Sequence, residues 1–349
     1  MGDPVNITDE SQRGNSSYIS RGNVQVMATV VYCVAFLLGT LGNGLVIYVT
    51  GFKMKQTVNI IWFLNLAVAD FLFTAFLLFD IVYISRGFVW PFGDFLCKLN
   101  TLVGVLNMFT SVFLLMVISL DRCLLTWMAV WAQNKRTVCQ AKVVCITIWL
   151  ISLGCSIPYG AYKQVFQYKN STVCGAPRIT ATVHRDLIIF RSVVGFFIPF
   201  VIILGSYLAI GKRIISLQRK KKLKPFRIIL AVILAFFLCW LPFHVFQYLD
   251  LKCNSDGDFS GTLCRVVSVG VPLSTSVAFL NSCLNPVLYV FLCENFQQKF
   301  RQSILSALES VFLEEHLFIN IGKSKHTQAK PLNQDQMNET GAFLMTQNN

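Results

Sequence analysis

Residues 266–292 read VVSVGVPLSTSVAFLNSCLNPVLYVFL, a run without one charged side chain. At about 1.5 Å of rise per residue, a helix of that length exceeds the roughly 30 Å hydrocarbon core of a bilayer. Lipid offers an open backbone no hydrogen-bond partners, so a segment crossing it must be helical. Working back from this run, comparable apolar stretches lie at roughly 26–50, 58–84, 97–126, 141–160, 187–211 and 226–249. The expected fold class is an all-α membrane protein, a seven-transmembrane helix bundle over 26–292. Residues 1–25 form a polar tail before it, with no apolar core that would make a cleavable leader.

Composition points the same way. The 349 residues are 54% hydrophobic and 13% charged, and mean hydropathy is +0.58. Soluble domains carry about 25% charged residues. The values exclude a disordered chain, a coiled coil or a fibrous protein, and argue against an ordinary soluble enzyme. Net charge is +13. It sits in loops between apolar runs, which reads as membrane topology and not as nucleic-acid binding. The 12 cysteines include no Cys-x-x-Cys pair, so a zinc or thioredoxin-like motif has no support. No catalytic constellation is present. The run from Gly205 to Gly211-Lys212 fails as a phosphate loop, because its spacing is too long and no Ser or Thr follows the lysine.

Basic loops orient the chain. Lys212, Arg213, Arg219, Lys220, Lys221, Lys222, Lys224 and Arg227 crowd 211–227 without an acid, and Lys53, Lys55, Lys135 and Arg136 mark two shorter loops. These are expected on the cytoplasmic side, leaving the N-terminus extracellular and the C-terminus cytoplasmic in the plasma membrane. Asn6, Asn15 and Asn170 open sequons that fall on the expected outside; Asn338 opens one on the inside, where it would go unused. After the last span, residues 293–312 read as an amphipathic helix on the inner surface, with Phe296, Phe300, Ile304, Leu305 and Leu308 on one face. Cys293 beside it is open to palmitoylation or to plain packing. Residues 313–349 form a polar cytoplasmic tail.

Ionisable and amide side chains inside spans are costly and therefore informative. Asp70 is either a hydrogen-bonded carboxyl joining helices or the centre of an oxygen-rich cation pocket with Asn107, Ser111, Asn281 and Asn285. Asp121-Arg122 ends the third span and can be a simple interface anchor carrying its own counter-ion. Arg191 lies about 12 Å of helix before Pro199. It either snorkels to headgroups or faces a cavity and binds an anion, often bidentately. Pro199, Pro242 and Pro286 interrupt three spans and suit a bundle that bends. Cys97 and Cys174 fall on the expected outside, where a bridge would pin the second outer loop over the bundle mouth. Cys253 and Cys264 are a candidate for a second.

With these residues in place, the pattern resembles the rhodopsin class of G-protein-coupled receptors. The resemblance covers about 26–315. It rests on Gly42-Asn43, Leu66-Ala67-Val68-Ala69-Asp70, Asp121-Arg122-Cys123, Trp149, Pro199 with Tyr207, Cys239-Trp240-Leu241-Pro242 and Asn285-Pro286-Val287-Leu288-Tyr289, in order and at matching spacing. Ser119-Leu120-Asp121-Arg122-Cys123, Val130-Trp131-Ala132-Gln133-Asn134 and Asn281-Ser282-Cys283-Leu284 look like the chemoattractant branch. That branch includes the formyl-peptide, chemerin, anaphylatoxin and chemoattractant-type prostaglandin D receptors. Cys97-Lys98-Leu99 and Asn107-Met108-Phe109 lean to the prostaglandin member.

The resemblance implies roles. Arg122 would meet the G protein when the inner ends open, with Tyr207 and Tyr289 moving in. Trp240 would be the rotamer switch beneath the ligand. Asp70, Asn107, Ser111, Asn281 and Asn285 match the family's sodium pocket, so an allosteric sodium ion is the one cofactor-like group implied. Arg191 matches the branch's basic ligand anchor, and Lys163 a basic residue of the second outer loop that helps hold a carboxylate. Val105, Met108, Phe243, Trp240 and Thr275 would line the pocket. Departures exist. Cys123 replaces the common tyrosine. No acid stands in 211–249 to restrain Arg122, so basal activity is expected. Val105 replaces an acid of the formyl-peptide receptors, and Phe243 a tyrosine near the prostaglandin carboxylate.

The functional expectation is a chemoattractant-type receptor, not an enzyme. An extracellular anionic ligand, either a lipid mediator such as prostaglandin D or a peptide, would activate an inhibitory-type heterotrimeric G protein, with arrestin as a further partner. The readings set against it are a peptide, chemerin-like or orphan receptor of the same branch, a scavenger without G-protein signalling, and a transporter. The last lacks the internal repeat that transporters often carry.

Overall fold

The computed structural model describes residues 7–168, 170–216, 224–255 and 262–292. Seven helices are long and apolar enough to cross a membrane, as the apolar runs predict. The elements are α1 (Ile7–Tyr48), α2 (Val58–Ser85), α3 (Gly93–Trp127), α4 (Ala129–Lys135), α5 (Val138–Ala161), β1 (Gln164–Tyr168), β2 (Ser171–Gly175), α6 (Ala181–Ser192), α7 (Ile198–Ser216), α8 (Lys224–Ser255) and α9 (Thr262–Leu292). The fifth span is α6 and α7 joined through a π-helical turn, Val193–Phe197. The short α4 lies in a loop, outside the set of spans.

Helix ends follow local chemistry. Thr57, Thr137 and Thr180 each cap the helix after them, their hydroxyls accepting from backbone N–H groups of Ile60, Gln140 and Val183. At Thr137 the Gln140 side chain reaches back to complete a capping box,. One boundary departs from expectation. Residues 7–25, read as a polar tail, are helical and continuous with the first span. Gly14 and Gly22 interrupt the stretch, but a glycine costs a helix interior only about 1 kcal/mol and no proline is present, so polar composition does not stop the helix,. The 293–312 amphipathic helix and the 313–349 tail lie outside the described residues.

Side-chain hydrogen bonds stitch the spans to one another. Asn43 of α1 donates to the Ser282 carbonyl of α9 at 2.9 Å, and the Trp149 indole of α5 donates to Asn65 of α2 at 3.1 Å. Apolar packing surrounds them, with Leu66, Leu77, Phe109, Val112, Leu114 and Phe236 almost fully buried. Many other apolar side chains stay exposed, Leu41 at 70% and Leu150 at 64% among them. A soluble fold would not leave so much apolar surface unburied; in lipid it costs nothing.

At one end, β1 and β2 pair antiparallel with Val165 opposite Cys174. Cys174 is bonded to Cys97 near the start of α3, with 5.7 Å between their Cα atoms. The Val165 N–H donates to Asp94 at 2.9 Å and the Trp90 N–H to the Thr172 carbonyl at 2.7 Å. The hairpin is thus tied to α3 by one covalent and one polar link. Cys253 and Cys264, the candidate second pair, are also bonded and join α8 to α9 at that end.

Candidate functional site

Two cavities lie beneath the hairpin and meet at Arg191. The deeper one, about 210 Å³, is lined by α2, α3, α8 and α9 through Asp80, Val105, Met108, Trp240, Phe243 and Thr275. The outer one, about 280 Å³, reaches Tyr159, Lys163, His184 and Gln247. Thr101, Val105 and Arg191 belong to both. All seven residues anticipated as ligand-binding therefore converge on one connected region.

Arg191 sits in the last turn of α6, just before the π turn. Pro199 cannot donate a backbone hydrogen bond, and a widened turn ahead of it relieves the clash with the preceding carbonyls. The guanidinium carbon lies 4.7 Å from the Phe243 ring centroid and 5.7 Å from that of Tyr159. One terminal nitrogen donates to Gln247 at 2.8 Å. Its Nε is buried and has no hydrogen-bond partner among the described residues. Arginine has five N–H donors and no acceptor. Held on aromatic faces with its Nε unpartnered, and buried away from any headgroup, the guanidinium is chemically able to receive an anion,.

Lys163 follows α5 and lines the outer cavity. Burial holds its ammonium below the usual lysine range, the Arg191 charge adds to that, and Asp80 pulls the other way. Below Arg191 the aromatic floor descends in steps. Phe243 meets Trp240 edge to face at 5.5 Å, and Trp240 meets Phe236 at 5.9 Å. Ser192 and His244 Nδ1 are 2.9 Å apart, linking the fifth and sixth spans beside this stack. Thr275 spends its hydroxyl on the Val271 carbonyl at 2.8 Å, which leaves its methyl as a contact surface. Polar lining residues that the sequence reading does not single out include Gln247 and Asp80. Asp80 accepts a hydrogen bond from Asn100 at 3.0 Å.

Deeper in the bundle, Asp70, Asn107, Ser111, Asn281, Ser282 and Asn285 are all buried. Asn285 donates to Asp70 Oδ2 at 2.6 Å. A carboxylate can only accept, so Asn107 turns its amide nitrogen to Asp70 Oδ1 (3.2 Å) and takes the Ser282 hydroxyl on its oxygen (3.0 Å),. One carboxylate among neutral oxygen donors is a set that suits a hard monovalent cation. Among the described residues no cluster of three or more His, Cys, Asp or Glu exists, so a softer, multiply charged metal finds no comparable set there.

At the opposite end, Asp121 is bound by Arg136, whose Nε and Nη2 donate to its two oxygens at 2.6 and 2.8 Å. The same Nη2 also donates to Asn59 at 2.5 Å. A counter-ion for Asp121 is therefore supplied from the end of α4. Tyr207 is near enough for the Arg122 charge to act on its hydroxyl. Trp127 donates to the Ala209 carbonyl at 3.3 Å and lies 5.2 Å beneath the Arg213 guanidinium. The side chains of Tyr289, Asn6 and Asn15 fall outside the described residues. Asn170 is exposed at the hairpin tip with φ of 63°, a left-handed conformation that asparagine tolerates well.

Comparison with known proteins accords with this geometry. The family model described as 7 transmembrane receptor (rhodopsin family) matches residues 42–289. The C3a anaphylatoxin chemotactic receptor of Danio rerio is 42% identical over 84% of this chain and 79% of its own length. The chemerin-like receptor 1 of Bos taurus is 40% identical, covering 84% of each chain. The chemerin-like receptor 2 of Macaca fascicularis is 38% identical over 85% of this chain and 84% of its own.

Proposed function

Since the chain belongs to the rhodopsin family of seven-transmembrane receptors and to its chemoattractant type, we propose that it is a receptor for a peptide whose C-terminal carboxylate docks on Arg191. The observation that carries this is the Arg191 guanidinium itself, which lines the cavity spread on Phe243, with its buried Nε unpartnered. Lys163 is the second positive group facing the same anion. The peptide reading takes precedence over the lipid one because the similar receptors are named for C3a anaphylatoxin and chemerin, and none of those compared is named for a prostaglandin.

Signalling follows as a population shift. An anion drawn to Arg191 competes with Gln247 for its donors and changes how the guanidinium rests on Phe243. Phe243 leans on Trp240, and Trp240 on Phe236. The ligand therefore acts on the sixth span just where Pro242 weakens it,. Tighter binding to the bent state raises that state's population by the affinity ratio between the two. The bent state exposes Arg122 to a heterotrimeric G protein of the inhibitory type, with Tyr207 and Tyr289 closing on it, and arrestin takes the same opening. We place the basic loops in the cytoplasm, the disulfide-bonded end outside the cell, and glycans on Asn6, Asn15 and Asn170. A sodium ion held by Asp70, Asn107, Ser111, Asn281 and Asn285 would favour the resting state.

The test is inhibition of cyclic AMP formation in transfected cells by C3a, chemerin and prostaglandin D, on wild type and Arg191→Ala at equal surface expression. Response to a peptide, lost in Arg191→Ala, is the expected result. Response to prostaglandin D alone, or a peptide response indifferent to Arg191, overturns the reading.

A further inference from the structure

The deeper cavity holds charges of both signs. Asp80 of α2 and Arg191 line the same space of about 210 Å³. Asp80 takes one hydrogen bond, from the neutral Asn100 amide at 3.0 Å. A carboxylate can accept about four. Among the described residues no Lys or Arg nitrogen stands within ion-pair distance of it, in contrast to Asp94, Asp121 and Asp186. Lys163 acts on it only through space. A carboxylate set within a span without a paired cation is expensive, and such groups mark functional positions. Its open acceptors face the cavity whose other wall is Arg191.

We infer that Asp80 is a cation subsite of this cavity, so that the ligand carries an ammonium or guanidinium within a residue or two of its carboxylate. This rests on the carboxylate docking proposed above and narrows it. The spacing comes from size. A space of about 210 Å³ is smaller than the ~300–1,000 Å³ pockets that hold whole drug-sized ligands. Both charges must then belong to the last part of the peptide to enter. The chemical class is a peptide that ends in, or just before, a basic residue. Its cation meets Asp80 while its carboxylate meets Arg191, and its backbone lies across Val105 and Met108.

The probes are N-acetylated pentapeptides Ala-Phe-Ala-Leu-X, with X as Arg, Leu or Glu, as free acids and as amides. Binding is read as ligand-induced thermal stabilisation of the purified full chain in lipid nanodiscs. On wild type the Arg peptide binds at least ~10-fold tighter than the Leu peptide, with Glu weakest. Asp80→Asn brings the Arg peptide to the Leu level and leaves the Leu peptide unchanged; Asp80→Glu retains the preference. Equal binding of Arg and Leu to wild type overturns the inference. So does a preference that survives Asp80→Asn, an equal loss for all peptides, or no binding up to ~1 mM. The wild-type ranking needs no variant and stands even if Asp80→Asn does not fold. Amidation separates the two readings. An Arg preference that persists in the amides leaves Asp80 standing and removes the carboxylate docking, whereas acid over amide without an Arg preference does the reverse.

Discussion

Asp121 is paired with Arg136, fifteen residues further along the chain: both carboxylate oxygens accept from the Arg136 guanidinium, at 2.6 and 2.8 Å. The two side chains are only 22% and 12% exposed. The pair joins the end of α3 to the loop that enters α5, with Asn59 as a third partner.

Charge-assisted, bidentate pairs of this kind are among the strong hydrogen bonds. Arg136→Ala is expected to destabilise the purified protein by about 2 kcal/mol, with Asp121 left buried without its fork. Arg136→Lys should recover less than half of that, because an ammonium cannot reproduce the planar geometry. Thermal unfolding in detergent measures both. Equal stability of wild type and Arg136→Ala would show that the pair adds nothing.

Arg191→Ala should weaken binding of a C-terminal peptide acid by ~100-fold, in the range found when one partner of a buried charge pair is removed. The corresponding amide should change by less than about threefold. Gln247→Leu is expected to act oppositely and more weakly, since it frees a guanidinium donor that Gln247 now occupies. Competition binding on membranes distinguishes the two variants, and an acid and amide that lose affinity alike would remove Arg191 from the anion site.

Lys163 makes binding pH-dependent. Its ammonium is held below the usual lysine range, first by burial. An anion beside it favours the charged form, so binding takes up a proton once the pH exceeds that lowered value. Affinity for an uncharged-side-chain peptide acid should therefore fall as pH rises through the alkaline range, starting earlier than an ordinary lysine would allow. Arg191 stays protonated throughout and cannot produce this slope. Lys163→Gln should bind more weakly and flatten the profile; an unchanged slope in that variant would assign it elsewhere.

The buried oxygen cluster predicts an ion response. Sodium chloride should raise the melting temperature of the ligand-free protein relative to choline chloride, since an ion bound to the folded state adds stability by mass action. Asp70→Asn should abolish the difference and Ser111→Ala reduce it. A sodium response that persists in Asp70→Asn would place the ion at another site.

How much of this was legible in the sequence divides along physical lines. Span number followed from run length alone, since about 20 apolar residues suffice to cross a bilayer. Arg191, Lys163 and the lining set of Val105, Met108, Trp240, Phe243 and Thr275 were legible through spacing and resemblance, and they do converge. The ligand preference was not. Cys97-Lys98-Leu99 and Asn107-Met108-Phe109 leaned toward a prostaglandin receptor, while the similar proteins are anaphylatoxin and chemerin-like receptors. Such segments face hairpin and core as much as ligand: Cys97 is disulfide-bonded and Phe109 is fully buried. Asp80 escaped notice because it shares an apolar run with the more familiar Asp70, and only folding shows which of them opens on a cavity. Arg136 as the partner of Asp121 is a contact across a loop, which no periodicity announces.

The π turn at Val193–Phe197 works as a gear with one extra tooth. A π turn carries one residue more than the α-helix it interrupts, and each residue turns the chain by about 100°. Deleting Val194 would restore an unbroken helix and swing Arg191 by about that angle relative to α7, away from its present place in the cavity. The ligand charge read by such a receptor could thus be rewritten by a single lost codon, with no change in any side chain that touches the ligand. A Val194 deletion that still prefers peptide acid over amide would show the helix absorbing the slip elsewhere.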